Sequence, residues 1–206
     1  MNTFTIGEAL AYGWKGFWKN LGPLVIVGLA VVAVQVGFSV LSSQLDSGFL
    51  LGVVSFAGSV IAILIALGWI RIGLAITRDE PIELGAMFMF EGWLRYVIAT
   101  FLFSLGLYIG LILLVIPGII FAVVFGFYGW LIVDRDAGIG ESFSRSSEIT
   151  KGNRWNLFAL GLVLLLVNMV GLLLLVVGVV FTAGISLVTL AYVYRVISGE
   201  SPVVLD

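Results

Sequence analysis

The side chains that could do chemistry in this chain of 206 residues are carboxylates between its long apolar segments. Paired carboxylates can hold Mg²⁺ or act as general acid and base. No phosphate-binding loop, serine-nucleophile turn, zinc-protease motif or dinucleotide fingerprint accompanies them. We therefore favour an electrostatic role, in which they solvate helix N-termini and pair with Arg78, Arg135 and Arg145. These carboxylates are Asp79, Glu80, Glu83, Asp134, Asp136, Glu141 and Glu148.

Two residue types that often serve in catalytic and metal sites are absent from the chain. The chain has no Cys and no His, which excludes disulfides, thiolate catalysis, imidazole acid–base catalysis and zinc sites built on these residues. The net charge of −2 favours neither nucleic acid nor an acidic partner. We therefore expect no catalytic residue, no metal ligand, no cofactor and no nucleic-acid partner.

The composition is typical of an integral membrane protein. Hydrophobic residues make up 61% of the chain, charged residues 11%, and the mean hydropathy is +1.21. In a typical soluble domain about a quarter of the residues are charged. The N-terminus has no early positive charge, and the first apolar run starts only at Leu21. That run predicts a retained membrane helix rather than a signal peptide.

Three long segments predict six membrane crossings. Residues 20–70 carry only one charge, Asp46, and residues 96–133 and 155–194 carry none. Because a bilayer core of about 30 Å takes roughly 20 helical residues, each segment suits two helices joined as a hairpin. The predicted fold is an all-α membrane protein whose crossings are 21–42, 49–70, 97–116, 118–133, 155–173 and 177–195.

The turns of the three hairpins are marked with different strength. The first lies in a polar cluster with glycine at 41–48. The second lies at Pro117-Gly118, because proline cannot continue a helix. The third has no such marker, and we place it between Gly171 and Gly178.

All ten Lys and Arg residues lie on one predicted side of the membrane. They precede, separate or follow the hairpins, and none falls in a hairpin turn. The positive-inside rule makes this side cytoplasmic, so both termini are predicted to be cytoplasmic. The opposite side carries only Asp46, which argues against an external receptor domain.

A weak internal repeat relates the three hairpins. An ungapped shift lays Gly16 on Gly92 and Lys19 on Arg95, and the third segment matches near Lys151 after an insertion. Each unit would comprise a short cytoplasmic-side helix, a boundary with aromatic and cationic residues, and a hairpin. The repeat units are roughly 4–77, 80–134 and 137–198 of a single membrane domain that spans 1–206.

Each unit is predicted to begin with a short amphipathic helix. In the first helix Thr5 and Glu8 have capping-box spacing, and its apolar face would lie in the membrane interface. The third helix, which contains Glu141 and Arg145, is more polar. The apolar face of the first helix consists of Ile6, Ala9, Leu10, Trp14, Phe17 and Leu21.

Glycine, aromatic and cationic residues cluster where each short helix meets a crossing. Tryptophan prefers the headgroup region, and Lys and Arg extend toward water. We therefore interpret these clusters as interfacial anchors rather than ligand sites, with the glycine as a hinge. The anchors are Trp14, Lys15, Trp18, Lys19, Trp93 and Arg95.

Few polar residues lie within the predicted crossings, and the main candidates are Gln35, Ser104 and Asn168. Such residues either line a pore or hydrogen-bond across helices, and we favour the second role. No ionisable side chain lies deep in a crossing, which argues against ion-coupled transport. Gly106 and Gly110 have the spacing that favours close helix packing.

Motifs in 116–158 carry a family resemblance. They are Ile116-Pro117-Gly118, Glu141-Ser142, and Lys151-Gly152-Asn153 followed by Trp155. Together they resemble six-helix prokaryotic membrane proteins that include the membrane domain fused to some glycerophosphodiester phosphodiesterases. The resemblance implies a helical domain of the inner membrane. It carries no phosphodiesterase activity, because this chain lacks the catalytic domain and its histidine.

The leading functional hypothesis is a non-enzymatic membrane scaffold that organises lipids or partners through its cytoplasmic face. Anionic headgroups would bind there, and a homo-oligomer or a protein partner would fit the same role. A channel or passive transporter, lined by the polar candidates above, is the alternative. A lipid-modifying enzyme that uses Asp134 or Glu141 is the third. The residues predicted to bind lipid or partner are Arg135, Arg145, Lys151, Arg154 and Trp155.

Overall fold

The computed structural model describes residues 3–45, 48–82, 85 and 92–205, and these residues form helices and no strands. Asp46, Glu83 and most of the predicted second short helix lie outside the described residues. The helices are α1 (Ile6–Lys19), α2 (Leu21–Ser43), α3 (Phe49–Arg78), α4 (Trp93–Leu113), α5 (Val115–Phe125), α6 (Tyr128–Arg135), α7 (Ile139–Ile149), α8 (Arg154–Leu173) and α9 (Leu175–Ile197).

Six segments are long and apolar enough to cross a membrane, which confirms the number predicted from the sequence. They match a multi-pass membrane protein. The fourth segment contains both α5 and α6, which are separated at Gly126 and Phe127. The segments are Leu21–Ser43, Phe49–Arg78, Trp93–Leu113, Val115–Arg135, Arg154–Leu173 and Val177–Ile197.

The break near Pro117 lies earlier than predicted. The predicted end of helix 97–116 and the predicted start of helix 118–133 are therefore wrong. Helix α4 ends at Leu113, and α5 begins at Val115 after the extended residue Leu114. A proline ring clashes with the carbonyl four residues before it, so the helix is interrupted there rather than at the proline itself. Within the first turn of α5, Pro117 needs no N–H partner.

The packed core lies at the charged ends of the helices. Phe17, Leu74, Trp130, Val188 and Tyr194 belong to one buried cluster contributed by α1, α3, α6 and α9. At the other end, large apolar side chains are exposed on every long segment. These include Phe49, Leu50, Ile112, Leu113, Leu173 and Leu175. Helix α3 continues past Ile70, the predicted end of its crossing, to Arg78, and this extension adds Ile72, Leu74 and Ile76 to the core.

Helix α1 packs closely on α9 because several residues at the contact are small. The predicted capping box is present, since Thr5 and Glu8 bond reciprocally at 3.3 Å. The buried residues are Ala9, Gly13, Gly16 and Phe17, whereas Trp14 is exposed. A Cβ at Gly16 would lie 2.6 Å from Cγ1 of Val188. This close approach, which bulky side chains would prevent, lets the two helices meet.

The glycines of the three boundary clusters differ in their roles. Gly92 and Gly152, just before α4 and α8, have positive φ, 74° and 86°, a backbone conformation that glycine adopts readily. Gly16 is no hinge, because α1 continues through it to Lys19. The glycines predicted to favour packing do so on α4, where a Cβ at Gly110 would lie 2.9 Å from Cα of Gly118.

Candidate functional site

Helix α7 is packed against the break between α5 and α6. The Ser146 hydroxyl donates to the Val124 carbonyl at 3.0 Å and accepts from the Phe127 N–H at 3.2 Å. Thr150 donates to the same carbonyl at 3.3 Å. These side chains, with Ser142, recur every four residues and are buried. They supply partners for backbone groups that an uninterrupted helix would have paired internally.

Ion pairs join the helix ends that carry the charges. Lys19 pairs with Asp79 at 3.6 Å and so joins α1 to the end of α3. Arg95 at the start of α4 pairs with Asp136 after α6 at 2.6 Å. These contacts join the four helix ends in two pairs. They also agree with the electrostatic role that the sequence predicts for the carboxylates.

Asp134 is the most enclosed of these carboxylates, because its side chain is fully buried. One oxygen contacts the Arg78 guanidinium. The other accepts from Arg135 Nε at 3.0 Å and from the Tyr194 hydroxyl at 2.8 Å. The two arginines keep 32% and 39% of their side chains exposed. We use the name Asp134 cluster for Arg78, Asp134, Arg135, Tyr194, Arg195 and Glu200.

The C-terminal segment 198–205 completes this end of the protein. Glu200 contacts both Arg135 and Arg195. The Val203 N–H donates to the Thr77 carbonyl at 3.1 Å, and Lys15 Nζ donates to the Leu205 carbonyl at 3.3 Å. The segment therefore links α1, α3, α6 and α9.

A second feature is an apolar groove of about 470 Å³ between α5 and α8, which we name the Trp155 groove. Trp155 is 83% exposed, and its ring meets Phe158 edge-on with centroids 6.1 Å apart. Arg154 supplies the charged part of the lining. The remaining lining residues, all aliphatic, are Ile116, Ile119, Ile120, Val123 and Val124.

The Asp134 cluster and the Trp155 groove both lie within residues 73–204, where the sequence profile of one protein family matches. This match covers more than half of the chain. The chain belongs to the DUF7847 family. That family is described as a domain of unknown function. No curated protein and no solved structure matches the chain, and no link to glycerophosphodiester phosphodiesterases is shown.

The cations predicted to bind lipid or partner are all in the DUF7847 region, but they differ in their partners. Arg135 belongs to the Asp134 cluster, and Arg145 pairs with Glu141 at 2.9 Å. Lys151 and Arg154 have no carboxylate partner within the described ranges. Arg154 donates only a long bond, 3.5 Å, to the Ser147 carbonyl. The junction of α7 and α8 thus presents Lys151 and Arg154, two cations without a carboxylate partner in the described ranges, near Trp155 in the chain.

The predicted anchors divide into exposed rings and paired cations. Trp14 and Trp18 are exposed on α1 with ring centroids 5.7 Å apart, and Trp93 is exposed at the start of α4. Lys15, Lys19 and Arg95 make the contacts with Leu205, Asp79 and Asp136 given above. Only α1 among these elements lies outside the DUF7847 match.

The three intramembrane polar candidates are on different helices and have different surroundings. Asn168 on α8 donates to the Leu164 carbonyl at 2.7 Å and to the Ser186 hydroxyl on α9 at 2.8 Å. Its amide therefore joins two helices, the role we favoured. Gln35 lines two adjoining grooves beside α2 and α3, the outer one containing Ser39, Ser42, Ser55 and Ser59. Ser104 is half-buried on α4 and lines neither groove.

Sequence reasoning missed Tyr12, Tyr194 and Glu200 as members of this charged end. The ring of Tyr12 packs against that of Tyr192 at a tilt of 33°, with centroids 4.6 Å apart. Its hydroxyl is buried with no hydrogen-bond partner among the residues described. Burial therefore raises the pKa of Tyr12 to about 12. The sequence does not mark Tyr194 or Glu200, because Asp134 lies 60 positions from Tyr194 and Arg135 lies 65 positions from Glu200.

Proposed function

We propose that this protein is a non-enzymatic scaffold of the prokaryotic inner membrane that organises anionic lipids through its cytoplasmic face. Three hairpins with both termini cytoplasmic, each preceded by a short helix, form the proposed topology. The meeting of charged helix ends supports this orientation, because Lys and Arg concentrate on the cytoplasmic side of membrane proteins. In this topology α1 and α7 are two of the three short helices of the repeat.

The observation that carries the proposal is the pair Lys151 and Arg154 beside the exposed Trp155. A cation without a carboxylate partner keeps its full charge for an anionic headgroup, and an exposed indole prefers the headgroup region. Arg145 differs, because Glu141 already neutralises it. The same surface would also fit a second copy of the chain or an acidic protein segment.

Two features support a scaffold over an enzyme. Asp134 is enclosed by Arg78, Arg135 and Tyr194, which leaves no open face toward a substrate. Glu141 pairs with Arg145 and accepts from the Gly138 N–H at 3.3 Å, a position typical of helix stabilisation.

Passive transport is our second proposal, because Gln35 and four serines line adjoining grooves. Ser104 and Asn168 contribute less support, since neither lines these grooves in the part of the chain that the structure describes. Flux of small polar solutes into vesicles that contain purified protein tests this proposal. Gln35→Leu protein with unchanged flux would remove Gln35 from the pathway.

The scaffold proposal is tested by native mass spectrometry of protein released gently from membranes. We expect retained phosphatidylglycerol and weaker retention in the Lys151→Gln/Arg154→Gln variant, because two unneutralised charges are lost. Arg145→Gln is the matched control, since it removes a cation of α7 that already has a partner. Equal retention of phosphatidylglycerol and phosphatidylcholine by all variants would contradict the proposal. An oligomer without retained lipid would favour a protein partner instead.

A further inference from the structure

The Trp155 groove combines two chemical surfaces within one site. Its walls are aliphatic along α5 and aromatic at Phe158, while Arg154 supplies a guanidinium and Trp155 an indole. The aliphatic wall runs from Ile116 to Val124, about 12 Å at 1.5 Å per helical residue. A ligand that matches both surfaces has an extended apolar part and an anionic group at one end.

An apolar groove alone would select nothing in a membrane, because lipid tails solvate any exposed helix face equally well. Arg154 gives the groove a preference among lipids. Its guanidinium presents a planar fork of donors that matches the oxygens of a phosphate. Within the described ranges it has no carboxylate partner, and its bond to Ser147 is 3.5 Å long. Charge complementarity therefore favours a phosphate-bearing lipid over a neutral lipid or an apolar helix.

We infer that the Trp155 groove binds one anionic phospholipid, with its phosphate on Arg154 and one acyl chain along α5. This inference rests on the proposed function and makes it more specific, since general attraction to anionic headgroups requires no groove. Lys151, three residues earlier in the chain, adds positive charge next to the phosphate position. Trp155 and Phe158 would flank the first part of the acyl chain.

The chain offers a matched pair of substitutions that separates headgroup attraction from binding in the groove. Ile120 lines the groove and is 55% exposed, whereas Ile109 on α4 does not line it and is 50% exposed. Ile120→Trp fills the groove without changing charge. Ile109→Trp adds the same bulk on another lipid-facing helix surface. Arg154→Gln removes the guanidinium and leaves the groove open.

The experiment titrates each variant in detergent with phosphatidylglycerol or phosphatidylcholine and counts bound lipid by native mass spectrometry. We expect Arg154→Gln to weaken phosphatidylglycerol binding roughly tenfold, the scale of one charge-assisted hydrogen bond. Ile120→Trp should also weaken this binding, because the larger side chain takes the place of the acyl chain. Ile109→Trp should bind like the wild-type protein. Phosphatidylcholine should bind weakly to all four proteins.

The outcomes distinguish the inference from the proposed function. If Arg154→Gln weakens binding but Ile120→Trp behaves like Ile109→Trp, headgroup attraction stands and the groove site is overturned. If Arg154→Gln, Lys151→Gln/Arg154→Gln and Ile120→Trp all bind normally, the proposed function and the site fail together. If only Ile120→Trp weakens binding, the assigned phosphate contact is overturned.

A second measurement uses the unmodified protein, in case Ile120→Trp fails to fold. The protein is incubated with phosphatidylglycerol that carries a photoactivatable group midway along one acyl chain. The complex is then irradiated, and the labelled peptides are identified. Labels concentrated on 116–124 and Phe158 support the site. Labels spread over the exposed faces of α2, α4 and α8 in proportion to their exposure would overturn it.

Discussion

The hydroxyl of Tyr194 donates a hydrogen bond of 2.8 Å to Oδ2 of Asp134, although the two residues are 60 positions apart in the chain. The bond joins α9 to the end of α6 where Asp134 is fully buried. A hydrogen bond to a buried charge contributes more than one between neutral groups. Tyr194 thereby fixes the relative position of two helices at the charged end.

Replacing Tyr194 with Phe removes this bond and leaves the ring in place. We expect a loss of about 1.5–3 kcal/mol in the free energy of unfolding, the range for hydrogen bonds to charged groups. Tyr192→Phe is the control, because its hydroxyl makes no hydrogen bond to the residues described. Unfolding in mixed detergent micelles measures both. Equal stability of the two variants would contradict the assigned bond.

Neutralising Asp134 should destabilise the protein far more than neutralising Asp136. Asp134→Asn leaves Arg78 and Arg135 without their shared carboxylate, and we expect a loss of about 2 kcal/mol. This lies below the 3–5 kcal/mol of a wholly buried pair, since both arginines stay partly exposed. Asp136, 76% exposed, forms a surface pair, so Asp136→Asn should cost less than about 1 kcal/mol. Thermal unfolding measures both losses. A loss for Asp134→Asn no larger than that for Asp136→Asn would contradict the prediction.

A methyl group on the packed face of α1 should weaken its contact with α9. A Cβ at Gly13 would lie 2.9 Å from the Ile185 carbonyl oxygen, so Gly13→Ala should cost about 1–3 kcal/mol as overpacking. Gly7→Ala, in the same helix, meets nothing within 4 Å and should stabilise slightly through helix propensity. Limited proteolysis near α1 reports detachment. Slower cleavage of Gly13→Ala protein would contradict the packing.

The buried hydroxyl of Tyr12 predicts a loss of stability at alkaline pH. Its pKa is raised from 10.0 to about 12 in the folded protein, so folding favours the protonated form. This contribution is complete below pH 10 and disappears as the pH rises through 12. Tyr12→Phe protein should therefore lose less stability between pH 9 and pH 11 than the wild-type protein, measured by unfolding at both values.

Tyr12→Phe should also be tolerated at neutral pH, because the hydroxyl has no partner among the residues described. Removing a buried polar group that lacks a hydrogen bond costs little or is favourable. A large loss of stability at pH 7 would show that the hydroxyl is bonded after all.

The six spans were predictable because each is a local property of the sequence. Long runs without charge, such as 96–133 and 155–194, require membrane helices whatever their neighbours are. The capping box of Thr5 and Glu8 is likewise local, as its residues are three positions apart. The break between α8 and α9, at Leu174, lies within the interval from Gly171 to Gly178 in which the third turn was predicted.

The parts that sequence reasoning missed depend on distant partners. Gly16 suggests a hinge when only its neighbours in the sequence are considered, yet Gly13 and Gly16 pack against Ile185 and Val188 of α9. Tyr194 lies at the end of an apolar span, and only the approach of α6 makes it a donor to Asp134. Hydrophobic periodicity records which side of a helix is apolar and not which helix will cover it.

The serine and threonine contacts of α7 have a consequence for the order of assembly. The Val124 carbonyl and the Phe127 N–H find their partners on Ser146 and Thr150, which leave the ribosome after the fourth span has been made. Until then the interrupted span has backbone groups exposed to lipid, at a cost of several kcal/mol each. The break between α5 and α6 therefore gains these hydrogen-bond partners only after α7 has been made.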